Sequence, residues 1–363
     1  MTVDSAEARA LRIQLADILQ EKGDLTDPEW RRAFETVPRH AFVPAFWDSP
    51  EELVSLDNCG HLARIYSDDV LITQITDGVA TSSSTAPSLM LVMLEALDVR
   101  PHHRVLEVAT ATGYNAALLC ERVGSHHVTT IEVDPELSHT AERRLFEAGY
   151  TPTVIAADGR AGYWEKAPYD RLIATCGFSA VPYTWVKQMR PGGVIVCPVG
   201  SGTVRLVVSE AGEAAGNFLS TASYFMTARD SGTAGSAPYP GDPENPDHRP
   251  TALGPAAPFT KDGFPFLLSL TIPGVALSSE PDDTGQVTGC RLWAADGSWA
   301  RISDGTAYQA GPRRLWDLAE GAHDTYQKNG QPNRERFGLT VSVGGNTVWL
   351  DDPGNIIRSL PPA

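Results

Sequence analysis

The stretch of sequence that decides the fold is VLEVATATGYN, residues 105–115. The apolar run from Arg104 to Val108 predicts a short buried strand, and Asn115 to Val123 has the spacing of a helix. In open α/β sheets, the turn between a strand and the next helix lies at the carboxyl end of the strand, where ligands bind. The turn at residues 109–113 therefore predicts a ligand site.

The residues of this turn discriminate between two cofactors. A dinucleotide fingerprint needs glycines at positions 109, 111 and 114, where this chain has Ala, Ala and Tyr, so NAD is disfavoured on steric grounds. Residues 107–113 fit instead the E/D-x-G-x-G-x-G loop of S-adenosylmethionine-dependent methyltransferases, with alanine at the first two glycine positions. Backbone N–H groups of such a loop can bind the cofactor carboxylate, and the Glu107 carboxylate can face the cofactor ammonium, unless it is only a solvated strand end. The cofactor-binding residues predicted in this stretch are Glu107, Ala109, Thr110, Ala111, Gly113, Tyr114 and Asn115.

Acidic residues follow the next two predicted strands. Glu132 lies about 20 residues after Gly113, the spacing of a carboxylate that binds ribose hydroxyls. Asp158 is suitably placed to meet the adenine amino group, although an ordinary Asp-Gly turn explains it equally well. Val133, Gly159 and Thr175 complete the predicted cofactor site.

Strands and helices alternate around this stretch. His127 to Val133 predicts a strand, Asp134-Pro135 a capped helix start, and Thr153 to Ala157, Arg171 to Ala174 and Val194 to Pro198 further strands. This order predicts an α/β fold, a Rossmann-like, doubly wound, mostly parallel sheet with helices on both faces. Thr203 to Ser209 and Thr221 to Met226 predict an antiparallel ending.

The rest of the chain divides into segments of different composition. Residues 1–86 predict a helical, substrate-side region, with a second helix starting at Asp27-Pro28, and residues 87–227 the methyltransferase core. Residues 228–258 are rich in Pro, Gly, Ser and Asp and predict a linker. Residues 259–363 contain two hairpin signals around a helix and predict a small α+β domain.

Composition excludes several classes of partner. The 363 residues include 29 Lys plus Arg against 45 Asp plus Glu, a net charge of −16, which disfavours nucleic-acid binding. Five scattered cysteines form no CxxC pair, so neither a metal site nor a disulfide framework is expected. The sequence shows neither a secretory signal nor an apolar run long enough to span a membrane, so we expect a cytoplasmic protein.

Over about its first 226 residues the chain resembles protein L-isoaspartyl O-methyltransferases. The resemblance rests on VPRHAFVP (37–44), YSD (66–68), SSTAP (83–87), residues 105–113, IEVD (131–134), DGRAG (158–162), YDRLI (169–173) and RPGGVIVCPVG (190–200). It implies a class I methyltransferase that uses S-adenosylmethionine. The repair enzymes of this family carry Thr-Ile-Ser-x-Pro, whose serine lines the active site, and here Thr85 takes the place of that serine. The resemblance thus implies Thr85, assisted by Ser83, as the catalytic residues, although Thr85 would also serve as a helix cap.

Within this family the chain looks like the methyltransferases of ATP-grasp peptide maturase systems, which act on graspetides. This likeness rests on TSSS (81–84), PSLM (87–90), GSWAR (297–301), GPRRLW (311–316) and RFGLTV (336–341). It implies methylation of an aspartate side chain in a ribosomal precursor peptide crosslinked by an ATP-grasp ligase. The ester would close to a succinimide (aspartimide), and the C-terminal domain would recognise the peptide.

Three alternatives remain at this point. They are an isoaspartyl repair enzyme, a small-molecule O-methyltransferase and, because of the two loop alanines, a catalytically inactive peptide-binding module. A hydrolase is disfavoured because no G-x-S-x-G elbow is present. Methyl transfer to an aspartate needs no strong base, since a carboxyl group with a pKa near 3.9 is already ionised at neutral pH.

Overall fold

The computed structural model describes residues 4–55, 57–229, 238–261 and 263–361. These residues form three β-sheets of four, ten and five strands. The ten-stranded sheet is mixed, and its parallel part carries the predicted alternation of strands and helices. The predicted α/β class is therefore confirmed, and the further sheets lie in the N-terminal and C-terminal parts of the chain.

The N-terminal region combines helices with an antiparallel sheet of order β2-β1-β3-β4. Asp27 caps the second helix by accepting a hydrogen bond from the Glu29 amide, as its sequence predicts. The sheet is absent from the prediction, which treated this region as helical. Its elements are α1 (Ala6–Lys22), α2 (Pro28–Thr36), α3 (Arg39–Phe42), β1 (Ala45–Ser49), β2 (Glu52–Ser55), α4 (His61–Ile65), β3 (Leu71–Thr76) and β4 (Val79–Ser84).

The turn between β3 and β4 explains why this hairpin forms. Asp77 and Gly78 have φ values of 52° and 76°, so both adopt the positive φ that a two-residue type I′ turn requires. Asp-Gly between two β-branched runs is a strong hairpin signal in the sequence. The hairpin matters for function because β4 ends beside the site described below.

The core follows the predicted order closely. Strands β7-β6-β5-β8-β9 pair in parallel, and Asp134 caps its helix through the amides of Glu136 and Leu137. The elements are α5 (Pro87–Leu97), β5 (Val105–Val108), α6 (Tyr114–Val123), β6 (Val128–Glu132), α7 (Pro135–Glu147), β7 (Thr153–Ala156), β8 (Tyr169–Ala174), α8 (Tyr183–Val186), β9 (Met189–Val199), β10 (Gly202–Val208) and β11 (Ala214–Ala222).

The antiparallel ending of the core differs from the prediction in one strand. The predicted strand Thr221 to Met226 is wrong, because β11 spans Ala214–Ala222 and the chain then leaves the sheet. The Met226 carbonyl accepts a hydrogen bond from the Gly177 amide, which directs residues 223–229 across the carboxyl ends of the parallel strands. This segment therefore lines the site instead of extending the sheet.

The C-terminal region contributes to two sheets. Its strands β12 to β16 form the five-stranded sheet, whereas β17, β18 and β19 extend the main sheet because β17 pairs with β11. The predicted segment boundaries are not tested by this arrangement and stay a prediction. The elements are β12 (Asp247–Pro250), α9 (Phe264–Thr271), β13 (Val275–Pro281), β14 (Val287–Ala294), β15 (Trp299–Ser303), β16 (Thr306–Ala310), α10 (Leu315–Lys328), β17 (Phe337–Ser342), β18 (Gly345–Leu350) and β19 (Asp352–Ser359).

One hydrophobic cluster joins the core to the C-terminal region. It runs from Leu106 in the parallel strands through Phe218 and Phe266 to Trp316, all of them buried. Burial of this much apolar surface on both sides of the junction fixes the two regions against each other. Among the residues that the structure describes, no helix is both long and apolar enough to cross a membrane.

Candidate active site

A cavity of about 180 Å³ lies at the carboxyl ends of the parallel strands. Three parts of the chain form its wall: the loops after β5 to β8, the end of β4 with the start of α5, and residues 224–229. This is the edge where an open α/β sheet binds its ligands. Of the predicted site residues, the ones that line the cavity are Ser83, Thr85, Ala109, Ala111, Glu132, Val133, Asp158, Gly159 and Thr175.

The loop after β5 adopts a conformation that ordinarily selects glycine. Ala109 and Ala111 have φ values of 76° and 47°, which places both in the left-handed region. The loop is held nevertheless, because the Ala109 amide donates to the Ile131 carbonyl at 2.8 Å and the Thr175 hydroxyl donates to the Ala109 carbonyl at 2.7 Å. The alanines thus replace glycine in sequence while the backbone keeps the glycine conformation.

Glu132 lies at the end of a parallel strand beside the cavity, the place that the sequence predicts for it. It ends β6, lines the cavity and is 5% exposed. Its carboxylate accepts hydrogen bonds from the Ala111 amide at 2.8 Å and from the Asp134 amide at 3.2 Å. Burial raises its pKa, and these backbone donors oppose that shift. Glu132 therefore connects the loop after β5 to the end of β6.

Glu107 does not line the cavity, in contrast to the predicted contact with the cofactor ammonium. Its side chain is fully buried. It accepts hydrogen bonds from the side-chain amide of Asn115 at 2.7 Å and from the Thr130 hydroxyl at 2.6 Å. The Thr130 hydroxyl also bonds to that of Thr110 at 2.6 Å. Burial raises the pKa of Glu107 to about 7. Glu107 acts behind the loop, as the centre of a polar network that fixes it.

The other predicted loop residues also lie off the cavity, for packing reasons. Gly113 caps α6 in a left-handed conformation (φ 87°). Tyr114 is buried and its ring packs against Phe34 and Phe42 of the N-terminal helices. Thr110 and Asn115 belong to the network around Glu107. These four residues support the loop on the side away from the cavity. The sequence motif therefore identifies the loop but not which of its residues line the cavity.

Asp158 and Gly159 follow β7 and form a turn at the edge of the cavity. The Asp158 carboxylate accepts a hydrogen bond from the Arg160 amide at 2.9 Å, and it also lines the cavity. A Cβ at Gly159 would lie 2.4 Å from Cγ1 of Val108, so this position has room only for glycine.

The end of β4 places hydroxyl groups in the same cavity. Ser83 and Thr85 both line it. Ala86, not Thr85, is the N-cap residue of α5, and the Asp68 carboxylate accepts the hydrogen bond from the Ser88 amide in the first turn at 2.8 Å. The alternative role of Thr85 as a helix cap is therefore not the one the structure shows. The backbone of Thr85 is held at the cavity wall, because its carbonyl accepts a hydrogen bond from Arg39 at 3.1 Å.

Arg39 organises this wall from a buried position. Its guanidinium donates to the carbonyls of Ile65, Ser67 and Asp69 as well as to Thr85, at 2.9 to 3.1 Å. Burial lowers its pKa to about 10, which still leaves it cationic at neutral pH. The neighbouring His40 is buried, hydrogen-bonded to the Tyr66 hydroxyl at 2.6 Å and absent from the cavity wall. The VPRHAFVP stretch thus holds the backbone of Thr85 in place, and none of its residues lines the cavity.

Several cavity residues were not predicted from the sequence. Arg160, Phe178 and the segment 224–229 line the wall, and so does Cys176. Burial raises the pKa of the Cys176 thiol to about 12, so it stays protonated at neutral pH. The DGRAG stretch could have identified Arg160, but the segment 224–229 is held at the site by contacts with residues far away in the sequence, among them the pairing of Thr227 with Gly177.

The wall fits S-adenosylmethionine. Glu132 offers a buried carboxylate whose backbone donors hold it toward the cavity, as recognition of ribose hydroxyls requires. Ile131, Val133 and Leu137 give an apolar surface beside it, of the kind that an adenine ring occupies. Gly159, next to Asp158, packs directly against Val108, another residue of the wall, and leaves no room there for a side chain.

Comparisons with known proteins agree with this geometry. The protein-L-isoaspartate(D-aspartate) O-methyltransferase family model matches residues 12–224. The protein-L-isoaspartate O-methyltransferase of Hyperthermus butylicus is 38% identical over 209 residues, which cover 55% of this chain and 79% of that protein. The corresponding protein of Ignicoccus hospitalis is 39% identical over 180 residues, which cover 49% and 76%.

A solved structure shares the fold over nearly the whole chain. It is described as a protein-L-isoaspartate O-methyltransferase and superposes with a TM-score of 0.57 at 21% identity, covering 94% of this chain and 100% of that one. The likeness of fold therefore extends into the C-terminal region. Together, the family match over more than half of the sequence and these relatives show that the chain belongs to the protein-L-isoaspartate(D-aspartate) O-methyltransferase family, which consists of S-adenosylmethionine-dependent carboxyl O-methyltransferases.

Proposed function

We propose that this chain transfers a methyl group from S-adenosylmethionine to a carboxylate oxygen of an isoaspartyl or aspartyl residue in a peptide. The observation that carries the proposal is a single cavity lined both by Glu132 and Asp158, which suit the cofactor, and by the hydroxyls of Ser83 and Thr85, which suit an acceptor. Hydroxyl donors can orient a carboxylate without protonating it.

Methyl transfer to a carboxylate requires little acid–base catalysis from the protein. When bound, S-adenosylmethionine supplies an electrophilic methyl group, and the acceptor carboxylate is ionised at neutral pH. The Thr85 hydroxyl donates a hydrogen bond to one acceptor oxygen and leaves the other free to attack, while Arg39 fixes the backbone of Thr85. Phe178 and Phe225 at the cavity wall exclude water. The rate gain then comes from alignment of the reacting atoms.

Two substrates fit this chemistry, and the comparisons favour the first. The relatives are named protein-L-isoaspartate O-methyltransferases, which supports repair of isoaspartyl residues as the function. The second candidate is an aspartate in a crosslinked graspetide precursor made by an ATP-grasp ligase, with closure to an aspartimide in the cytoplasm. The region beyond residue 224, where the family match ends, keeps this candidate open. This region does not by itself distinguish the two candidate functions, because a solved protein-L-isoaspartate O-methyltransferase structure shares the fold over 94% of this chain.

The test incubates the full chain and S-adenosylmethionine with an isoaspartyl peptide and, separately, with a crosslinked precursor peptide, and measures masses. Gain of one methyl on the isoaspartyl peptide is expected for repair. Gain of one methyl or loss of one water on the crosslinked peptide alone would establish the second candidate. Failure to methylate either peptide, together with no binding of S-adenosylmethionine in calorimetry, would contradict the proposal and indicate a peptide-binding module.

A pair of variants tests the role of the hydroxyl wall. Thr85→Val removes the hydroxyl and keeps the shape, so kcat should fall at least about tenfold, the loss expected for one hydrogen bond to a charged group. Thr85→Ser keeps the hydroxyl and should retain most of the rate. Equal rates for the two variants would assign Thr85 to packing alone.

A further inference from the structure

Two parts of the active-site cavity come from different regions of the chain. Thr85 and the end of β4 form one part, here called the acceptor wall, which belongs to the N-terminal region. The other part, the cofactor wall, belongs to the core and consists of Glu132, Val133 and Leu137. Methyl transfer requires a fixed separation of the two walls, because the acceptor oxygen and the methyl group must be aligned.

The side chain of Gln74 in β3 connects these two walls, although it does not itself line the cavity. Its Nε2 atom donates to the Asp134 carboxylate at 3.4 Å. Its Oε1 atom accepts a hydrogen bond at 2.7 Å from the hydroxyl of Thr81, a buried residue of β4 that lines the cavity. A single amide group therefore joins the strand of the acceptor wall to the cap residue of α7.

The pairing of β3 with β4 explains how Gln74 reaches the core. Gln74 pairs with Ser82, and the register shifts on both sides of Gln74, between residues 72 and 74 and between residues 74 and 75. Irregularities of this kind change the direction in which a side chain points and are common beside active sites. The strand geometry thus directs Gln74 toward a residue that lies 60 positions further along the chain.

Asp134 carries the connection to the cofactor wall. Its Oδ1 atom accepts hydrogen bonds from the amides of Glu136 and Leu137 at 2.9 and 3.2 Å. Its own amide donates to the Glu132 carboxylate at 3.2 Å, and its Oδ2 atom is the one that Gln74 holds. A displacement of Asp134 would therefore move both Glu132 and Leu137.

Each wall also has supports of its own. The Ala111 amide holds Glu132 at 2.8 Å, and Arg39 holds the backbone of Thr85 at 3.1 Å. The second half of α7 is joined to the N-terminal region separately, through Arg144. Loss of the Gln74 bridge should therefore leave both walls formed and release only the first turn of α7 relative to β4.

We propose that Gln74 is a positioning residue, which sets the separation of the acceptor wall and the cofactor wall and so aligns the acceptor carboxylate with the methyl group. The inference deepens the proposed function and rests on it for the reaction. Because Gln74 lies outside the cavity wall, its loss lowers the rate of transfer and leaves the affinities for both ligands nearly unchanged.

The first test separates rate from binding. Gln74→Leu is similar in size and removes both hydrogen bonds, so kcat for the peptide that the wild type methylates should fall at least about tenfold; a misplacement of about 1 Å can cost about a hundredfold. The KM for the peptide and the Kd for S-adenosylhomocysteine should change less than about threefold. Thr76→Val is the matched control, because Thr76 bonds to the same Thr81 hydroxyl at 3.1 Å within the hairpin, and it should leave kcat unchanged.

A reversed pair distinguishes positioning from a loss of folding. Gln74→Glu sets a carboxylate against that of Asp134 and should lower kcat as far as Gln74→Leu does. Adding Asp134→Asn restores a donor opposite an acceptor, and asparagine caps a helix as well as aspartate does. The double variant should therefore be at least about threefold faster than Gln74→Glu alone.

A third measurement does not depend on turnover. In hydrogen exchange followed by mass spectrometry, S-adenosylhomocysteine should slow exchange of the β3 and β4 amides in the wild type and in Thr76→Val, and should slow it less in Gln74→Leu. Equal kcat in the wild type and Gln74→Leu, a loss of cofactor affinity as large as the loss of rate, or no gain in the reversed pair would overturn the inference. An exchange difference in a protein that methylates neither peptide would refute the proposed function and leave the bridge assigned.

Discussion

The buried carboxyl group of Glu107 should make the stability of this protein depend on pH in a predictable direction. The side chain is inaccessible to solvent, and its pKa rises from an ordinary 4.5 to about 7, chiefly because burial disfavours the charged form. The hydrogen bonds from Thr130 and Asn115 offset this only in part. Between pH 4.5 and pH 7 the folded protein therefore holds a proton that the unfolded chain has released.

The sign and size follow from this difference in bound protons. Because the folded state binds the proton more tightly, raising the pH destabilises the folded state over this window. A difference of about 2.5 pKa units corresponds to about 3 kcal/mol once the pH exceeds 7. Between pH 5 and pH 8, ionisation of Glu107 should therefore lower the free energy of unfolding by about 2 to 3 kcal/mol.

Glu107→Gln isolates this contribution. The glutamine oxygen can keep the hydrogen bond from Asn115, and the Thr130 hydroxyl can turn to donate to Thr110 and accept from the new amide. Urea unfolding of the wild type and the variant at pH 5, 6, 7 and 8 gives the difference directly. The exposed Glu142→Gln is the control and should follow the wild type. A wild-type minus Glu107→Gln difference that stays constant across the four pH values would refute the reasoning.

Three further predictions follow from the backbone and from one buried cation. Ala109→Gly should change the free energy of unfolding by less than about 1 kcal/mol, because relief of the left-handed backbone strain opposes the larger conformational entropy of glycine in the unfolded chain. A larger loss of stability in thermal melts would contradict this. Gly159→Ala should weaken S-adenosylmethionine binding in calorimetry at least about tenfold, because the added Cβ would lie 2.4 Å from Val108. Gly254→Ala is the control and should bind normally, because nothing lies within 4 Å of a Cβ there. Arg39→Lys should destabilise the fold by about 2 to 4 kcal/mol in urea unfolding, because a lysine cannot reach all the carbonyls that the guanidinium holds, and an unchanged midpoint would count against its organising role.

Local chemistry made most of the core predictable. Asp27 and Asp134 are helix caps in the structure because their side chains need no distant partner to accept an amide hydrogen bond. The alternation of buried strands and capped helices then implies parallel pairing. The N-terminal sheet was missed although Asp77-Gly78 signals its hairpin, because the helices beside it dominated the interpretation of that region.

The sequence predicted where the site lies better than it predicted which residues face the cavity. A motif shows which loop forms the site, but it cannot show whether a side chain such as Glu107 or Tyr114 points into the cavity or supports the loop from behind. That distinction depends on packing against residues far along the chain. The segment 224–229 illustrates the same limit, because contacts with distant residues such as Gly177 and Thr81 hold it at the cavity.

The position of β17 beside β11 has a consequence for how the chain must be made and handled. Asn217 donates to the carbonyl of Glu335, 118 residues later, so β11 has no neighbour on that side until the last part of the chain has been synthesised. Until then its free edge is a template for pairing with other chains. The nascent protein is thus at risk of aggregation over a long interval, and a shortened version would carry that exposed edge permanently. Removing the C-terminal region would therefore test solubility before it tested function.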